Sequence, residues 1–296
     1  MLSAEGGNTW RRQASRFVGL FAVLFFVAIA LSLFPSPKPG QWLAFLQDFF
    51  TWQTLLFVLC GFLAQLVDGA LGMGYGMISS ISLLSAGVSP VTASAAIHTS
   101  EVFASGISGY SHYRFGNVNK KLFAYLVIPG TIGAVLGALL LVWLGEKAGD
   151  SLRPLIALYA LFMGLRILLR VVWPGKPSRR IRQLGILAAV GGFFDSFGGG
   201  GWGPIVTSTL IYKGRSPRYI VGSVSLTEFF ITLASAATFT LTLGASHFPV
   251  VAGLLIGGVA AAPLAARLAG KLPVKTMLVA VGFLVVIWSL RILIRS

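Results

Sequence analysis

Acidic residues are scarce in this chain: 8 Asp+Glu stand among 296 residues, against 23 Lys+Arg. Charged residues of both signs make up only 10%, where soluble domains carry about 25%. A water-soluble enzyme is excluded, and so is a disordered chain, because charge is sparse and 56% of residues are hydrophobic. Cysteine is nearly absent. Cys60 lies inside an apolar run, forms no internal disulfide, and leaves no material for a cysteine-pair relay or a Cys-rich metal site. With no catalytic set, metal site or cofactor motif to build on, the expectation is a non-enzyme without cofactor. The net charge of +15 would point a soluble protein towards nucleic acid. Here the basic residues flank apolar segments, as cytoplasmic loops do, and nucleic acid is not an expected partner.

What is abundant is long apolar sequence. Seven stretches (17–34, 91–111, 122–144, 152–172, 218–243, 249–268 and 275–294) are long enough to cross about 30 Å of hydrocarbon at 1.5 Å per residue. The first follows Arg11, Arg12 and Arg16 and has a signal-peptide-like Ala28-Ile-Ala30. Its apolar run continues past that site, so a retained helix is expected. Two further regions are interrupted, 53–87 by Asp68-Gly-Ala-Leu-Gly-Met-Gly-Tyr-Gly76 and 184–214 by Asp195-Ser-Phe-Gly-Gly-Gly-Gly-Trp-Gly203. Their halves, about 11–15 residues by sequence, are too short to span alone, and the glycines disfavour continuous helix. Irregular backbone at membrane depth survives only where protein or a wet cavity covers it. Both regions therefore read as broken, re-entrant segments.

The two breaks superimpose when the chain is shifted by 127 residues. Asp68 falls on Asp195, and Gly72, Gly74 and Gly76 fall on Gly199, Gly201 and Gly203. Ile78 and Leu83 fall on Ile205 and Leu210, and Gly87, Ser89 and Pro90 on Gly214, Ser216 and Pro217. Glu101, Phe103 and Ser108 fall on Glu228, Phe230 and Ser235, which completes 12 identities over positions 68–108. Many secondary transporters are built from such internal repeats.

Charge orients the repeats. The three arginines place the N-terminus in the cytoplasm and the neutral loop 35–52 outside. If each broken segment enters and leaves on one side, loops 111–121, 173–183, 213–218 and 269–275 are cytoplasmic. The loops at 145–153 and around His247 are then external, and only the tail with Arg291 and Arg295 disagrees. Each repeat becomes one re-entrant hairpin plus three spans. Three is odd, so the expected fold is an all-α polytopic membrane protein of two inverted-topology repeats after one extra N-terminal helix. The expected parts are 1–52 (first helix and external linker), 53–172 (repeat 1), 173–183 (basic cytoplasmic linker) and 184–296 (repeat 2), within a single membrane domain.

Four acids, Asp68, Asp195, Glu101 and Glu228, fall in membrane-depth segments and pair across the repeat. A carboxylate there costs a few kcal/mol and faces a cavity or a partner. For the aspartates, capping of the following half-helix is as good a reading as a role in binding. The glutamates sit mid-helix with no cap to serve and are the candidates for proton coupling. Steps of three and four place Ser94, His98, Glu101, Ser105 and Ser108 on one helix face, matched by Ser225, Glu228, Thr232 and Ser235. With no Lys or Arg expected at mid-depth, an anion would rely on the half-helix N-termini after Gly76 and Gly203. The expected binding set is Asp68, Gly72, Gly74, Tyr75, Gly76, Ser94, His98, Ser105, Asp195, Gly199, Gly201, Trp202, Gly203, Ser225 and Thr232. Three decoys are set aside. Gly72-Met-Gly-Tyr-Gly76 lacks the βαβ context of a dinucleotide loop. Gly106-Ile-Ser-Gly109 has the shape of an intramembrane serine-protease motif, but its nearby histidines share its helix. Gly133-Ala-Val-Leu-Gly137 is a helix-packing GxxxG.

A Gly-rich break followed by Gly-x-Ser-Pro and a polar helix, in both halves, resembles the sulfite exporter TauE/SafE family over residues 53–294. The resemblance implies a multi-pass plasma-membrane transporter, in most cases bacterial, that moves sulfite or a small organosulfonate such as sulfoacetate. Many members have simpler glycine loops without aspartate. The expected function is alternating-access transport of a small oxyanion. Its partners are a small anionic substrate and the lipid bilayer, with a coupling ion (H+ or Na+) and pairing into a homodimer left open. The rivals are a cation or proton transporter that uses the four carboxylates and an intramembrane hydrolase that uses Ser108.

Overall fold

The structure, a computed structural model, describes residues 51–71, 73–173, 183–212, 217–244, 248–268 and 273–296, all within the compact unit Phe49–Ser296. The expected first helix, Gly72 and most of the basic linker lie outside the described residues. Among the described residues every regular element is helical. They are α1 (Trp52–Leu71), α2 (Tyr75–Ser85), α3 (Pro90–Arg114), α4 (Lys120–Ala148), α5 (Leu152–Val172) and α6 (Leu184–Gly198). A π turn, Gly203–Thr207, leads into α7 (Ser208–Tyr212), followed by α8 (Pro217–Leu243), α9 (Phe248–Leu268) and α10 (Val274–Arg295).

Four of these helices are long and apolar enough to cross a membrane: Lys120–Ala148, Leu152–Val172, Arg218–Leu243 and Lys275–Arg295. The 25 residues of α3 are equally long, but its serines, His98 and Glu101 lower its hydropathy. One expectation is corrected in length. The first half of the first broken segment is a 20-residue helix, because Asp68-Gly-Ala-Leu71 stays helical, and Met73-Gly74 is non-helical.

Among the described residues a polar cluster lies inside an apolar core, and apolar side chains also cover much of the outside. Along α4, Ile128, Ile132, Leu136, Leu139 and Trp143 are exposed, while Leu126, Gly130, Gly133, Ala134, Gly137, Ala138 and Leu141 are buried. On α5, Leu155, Leu158, Phe162, Leu165 and Leu169 are exposed likewise. Buried instead are Ser79, Ser80, Ser94, His98, Glu101, Asp195, Ser196, Thr232 and Ser235. Exposed apolar patches of this extent are not stable against water, and hydrocarbon is the solvent that fits them.

The halves interlock. Helix α1 packs on α9, far along the chain, and α6 packs on α4. Both crossings rely on glycine. A Cβ on Gly133 or Gly137 would run into the backbone of Ala189 or Phe193, and one on Gly61 or Gly257 into that of Leu254 or Val58. The GxxxG pair therefore does what a helix-packing motif does. Helices α3 and α8 run antiparallel. His98 meets Phe239, Ser105 meets Thr232 in a 3.2 Å hydroxyl contact, and Gly109 meets Leu226. Ser105 and Thr232 stand 127 residues apart, so each is the other's equivalent in the repeat.

Candidate functional site

The two breaks touch. A Cβ on Gly76 would lie 2.6 Å from the Gly199 carbonyl oxygen and 2.8 Å from Gly200 Cα, and one on Gly203 would lie 2.6 Å from Met73 Cβ. Gly199 ends α6 in the left-handed conformation (φ 70°, ψ 19°), and Gly74 precedes α2 with φ 126°. Both are backbone states that glycine adopts without strain.

Each break is tied by its aspartate. Tyr75 N donates to Asp68 Oδ1 at 3.4 Å, while Gly201 N and Trp202 N donate to Asp195 Oδ1 at 2.7 and 2.8 Å. Tyr75 and Trp202 are equivalent positions, so the same seven-residue clasp occurs twice. The aspartates thus cap the chain at each break, engaging the N–H groups just before Gly76 and Gly203. The aromatic after each break is an anchor. Tyr75 Oη and Ser100 Oγ are 3.0 Å apart, and the wholly buried Trp202 donates from Nε1 to the Val224 carbonyl at 3.3 Å.

The polar faces of α3 and α8 close around the breaks. Ser80 donates to the Gly198 carbonyl at 2.9 Å, Ser94 donates to the Ser196 carbonyl, and the Ser196 and Ser235 hydroxyls lie 2.6 Å apart. His98 Nε2 is 3.3 Å from Asp195 Oδ2, and Nδ1 is 2.8 Å from the Ser94 carbonyl oxygen. Glu101 is buried and Glu228 half-buried. Asp68, Asp195, Glu101 and Glu228 each lie within electrostatic reach of the other three. Among the described residues, no three of His, Cys, Asp and Glu converge closely enough to hold a metal ion. Ser225 is buried on α8 with Thr232, and Ser108 is half-buried on α3. Neither nearby histidine serves Ser108, because His98 is engaged with Ser94 and Asp195, and His112 accepts from Asn117.

Sequence reasoning missed three side chains, all on α5. Arg166 lies inside an expected span. It donates to the Pro204 carbonyl at 3.0 Å and to Thr209 Oγ1 at 3.2 Å, and Arg170 donates to Ser208 and Thr209. Arg166 shares the Pro204 carbonyl of the π turn with the Ser208 hydroxyl, which also donates to it. Tyr159 donates to the Gly200 carbonyl at 3.1 Å and stacks on Phe194. The available signal was the i, i+4 spacing of Arg166 and Arg170 on one face of an apolar helix.

The family model described as "Sulfite exporter TauE/SafE" matches residues 57–292. The chain is 40% identical over 252 residues to "Probable membrane transporter protein YtnM" of Bacillus subtilis (strain 168), covering 82% of this chain and 83% of that one. It is 29% identical over 193 residues to "Probable membrane transporter protein ORF9" of a Sinorhizobium species, covering 64% and 68%. No solved structure matches. Crossed glycine breaks inside a lipid-facing helical shell fit the family match, and the chain belongs to the sulfite exporter TauE/SafE family of membrane transporters.

Proposed function

We propose that this protein moves a small oxyanion, sulfite or a C2 sulfonate such as sulfoacetate, across the plasma membrane by alternating access around the crossed breaks. The observation that carries the reading is the contact of two Asp-clasped glycine breaks between two serine- and threonine-bearing helices. Backbone N–H groups there are already arranged for a carboxylate, and a sulfonate presents oxygens of the same kind. Ser94, His98 and Ser105 of α3 and Ser225 and Thr232 of α8 supply side-chain hydrogen-bonding groups. Gly74, Gly76, Gly199, Gly201 and Gly203 keep the backbone open to close approach, and Tyr75 and Trp202 fix the half-helices.

The repeats are inverted in this reading. Support comes from the antiparallel α3–α8 pair, centred on equivalent residues, whose local two-fold axis is perpendicular to both helices. The α1–α2 hairpin then enters from outside and α6–α7 from the cytoplasm, with repeats 53–172 and 184–296 in one membrane domain. Single cysteines at Ser178 and Ser216, in a Cys60→Ser background, are expected to resist an impermeant thiol reagent applied outside. Labelling of only one of them means that 184–214 crosses once, and the inverted arrangement is then wrong.

Glu101 and Glu228 are the coupling groups of this reading. They lie in a cluster of four carboxylates with no Lys or Arg ion-paired to them among the described residues. In proteoliposomes, uptake of labelled sulfoacetate is expected to follow an imposed pH gradient. Glu101→Gln or Glu228→Gln is expected to abolish that dependence, since an amide donates a hydrogen bond but releases no proton. Gradient-driven flux unchanged in both variants removes the glutamates from coupling. Flux of Na+ or H+ without sulfonate favours the carboxylate cation transporter instead.

A further inference from the structure

The protons around His98 are fixed by its neighbours. Nδ1 faces the Ser94 carbonyl oxygen at 2.8 Å, an acceptor only. It also faces Ser94 Oγ at 3.3 Å, whose own hydrogen is committed to the Ser196 carbonyl. Nδ1 therefore carries a hydrogen. On the other side of the ring, Nε2 faces Asp195 Oδ2 at 3.3 Å, with both side chains buried. Without a proton between them, two lone pairs would oppose each other in a water-poor site. With one proton the contact is a charge-assisted hydrogen bond or its neutral equivalent, and the pair has no net charge either way. A second proton has no neutral place to go. Oδ1 already accepts from Gly201 N and Trp202 N, so the proton must enter on Oδ2, where it meets Nε2–H.

We propose that His98 and Asp195 form a one-proton site that latches the α6–α7 hairpin to α3, and that arrival of a second proton on Asp195 opens the latch. The added proton, taken from water, converts the carboxylate to a carboxylic acid. The Nε2–H···Oδ2 bond is lost, and the two N–H bonds to Oδ1 fall to about half their strength as the acceptor loses its charge. The groups acting on Asp195 from the surrounding elements are Asp68 on α1, Glu101 on α3, Tyr159 on α5 and Glu228 on α8. The Phe239 ring covers the imidazole from α8, with ring centroids 6.0 Å apart. Among the described residues the first repeat shows no such latch: the position equivalent to His98 is Ser225, and Asp68 accepts the Tyr75 N–H at 3.4 Å. Among the described residues the device thus belongs to the second break. Resting on the function proposed above, it links proton and anion, because a released Asp195 leaves the N–H groups of Gly201 and Trp202 open to a substrate oxyanion.

Two measurements test this, and the first needs no substrate. The chain has 3 histidines, so nitrogen-15 labelling of histidine in lipid nanodiscs gives few signals, and His98→Gln identifies the one of interest. Its Nδ1 is expected to stay protonated from pH 5 to 9, with an Nε2 signal that moves with pH and shifts in Asp195→Asn. A bare Nδ1, or an Nε2 signal indifferent to Asp195→Asn, overturns the latch. The second is calorimetric binding of sulfoacetate, which does not itself titrate between pH 5.5 and 8.5. On the alkaline limb its affinity is expected to fall by about tenfold per pH unit for the proton on Asp195, beside any share of Glu101 and Glu228. Asp195→Asn is expected to remove that one-proton share of the slope and to weaken binding, because its amide keeps the clasp closed. A flat profile in the unmodified protein overturns the linkage. Absence of sulfoacetate binding at every pH counts against the proposed substrate, while the histidine signals still decide the latch.

Discussion

Asp195→Ala is expected to cost about 3 kcal/mol or more of stability and to abolish transport. The change strands Gly201 N and Trp202 N, both buried, and leaves the His98 imidazole facing a void. Each buried group that loses its partner costs about 1–3 kcal/mol. Asp195→Asn is the control. Its side-chain oxygen still accepts from both N–H groups and its amide nitrogen donates to Nε2, so the hairpin stays clasped while titration is lost. Asp68→Ala is expected to cost only about 1 kcal/mol, because the one clasp bond that Asp68 makes among the described residues is 3.4 Å long. Thermal unfolding in detergent, followed by tryptophan fluorescence, ranks the three variants. An Asp195→Ala melting temperature equal to that of Asp68→Ala removes the asymmetry between the breaks.

Gly76→Ala is expected to reduce transport by about tenfold or more and to destabilise by about 1–3 kcal/mol. Its new methyl group meets the Gly199 carbonyl oxygen and Gly200 Cα, which are backbone and cannot swing aside. Room is made only by moving one hairpin relative to the other. Gly116→Ala is the comparison, since Gly116 has φ +67° but nothing within 4 Å of an added Cβ. It bears the strain of a left-handed alanine, about 1 kcal/mol, and its transport is expected to be unchanged. A Gly76→Ala variant with the unmodified flux shows that the breaks do not need to approach each other during the cycle.

The positions of both breaks were legible because glycine and aspartate mark them locally, and the 127-residue shift was legible because each half keeps the same clasp. The polar faces of α3 and α8 were legible through helical spacing alone. The engagement of Asp195 with His98 was not, since the two lie 97 residues apart and no local rule joins them. Arg166 was passed over for a related reason. Near the end of an apolar helix it reads as an ordinary interfacial charge, and only the carbonyl of a distant π turn gives it an inward target. The helical extension of α1 through Asp68-Gly-Ala-Leu71 went against glycine propensity, which tertiary packing overrides.

The interlocking of the halves sets an order on biosynthesis. Helix α6 finds its seat on α4 almost at once, since Gly133 and Ala189 are 56 residues apart (189 minus 133). Helix α1 must wait for α9, because Gly61 and Leu254 are 193 residues apart (254 minus 61). At about 5–20 residues per second the first hairpin spends roughly 10–40 s without its glycine-lined seat. During that interval its apolar faces and Asp68 must be sheltered by lipid or by the insertion machinery. Newly made chains are therefore most vulnerable to degradation at their first hairpin, and slowing synthesis of the second half lengthens the exposure of a segment already complete.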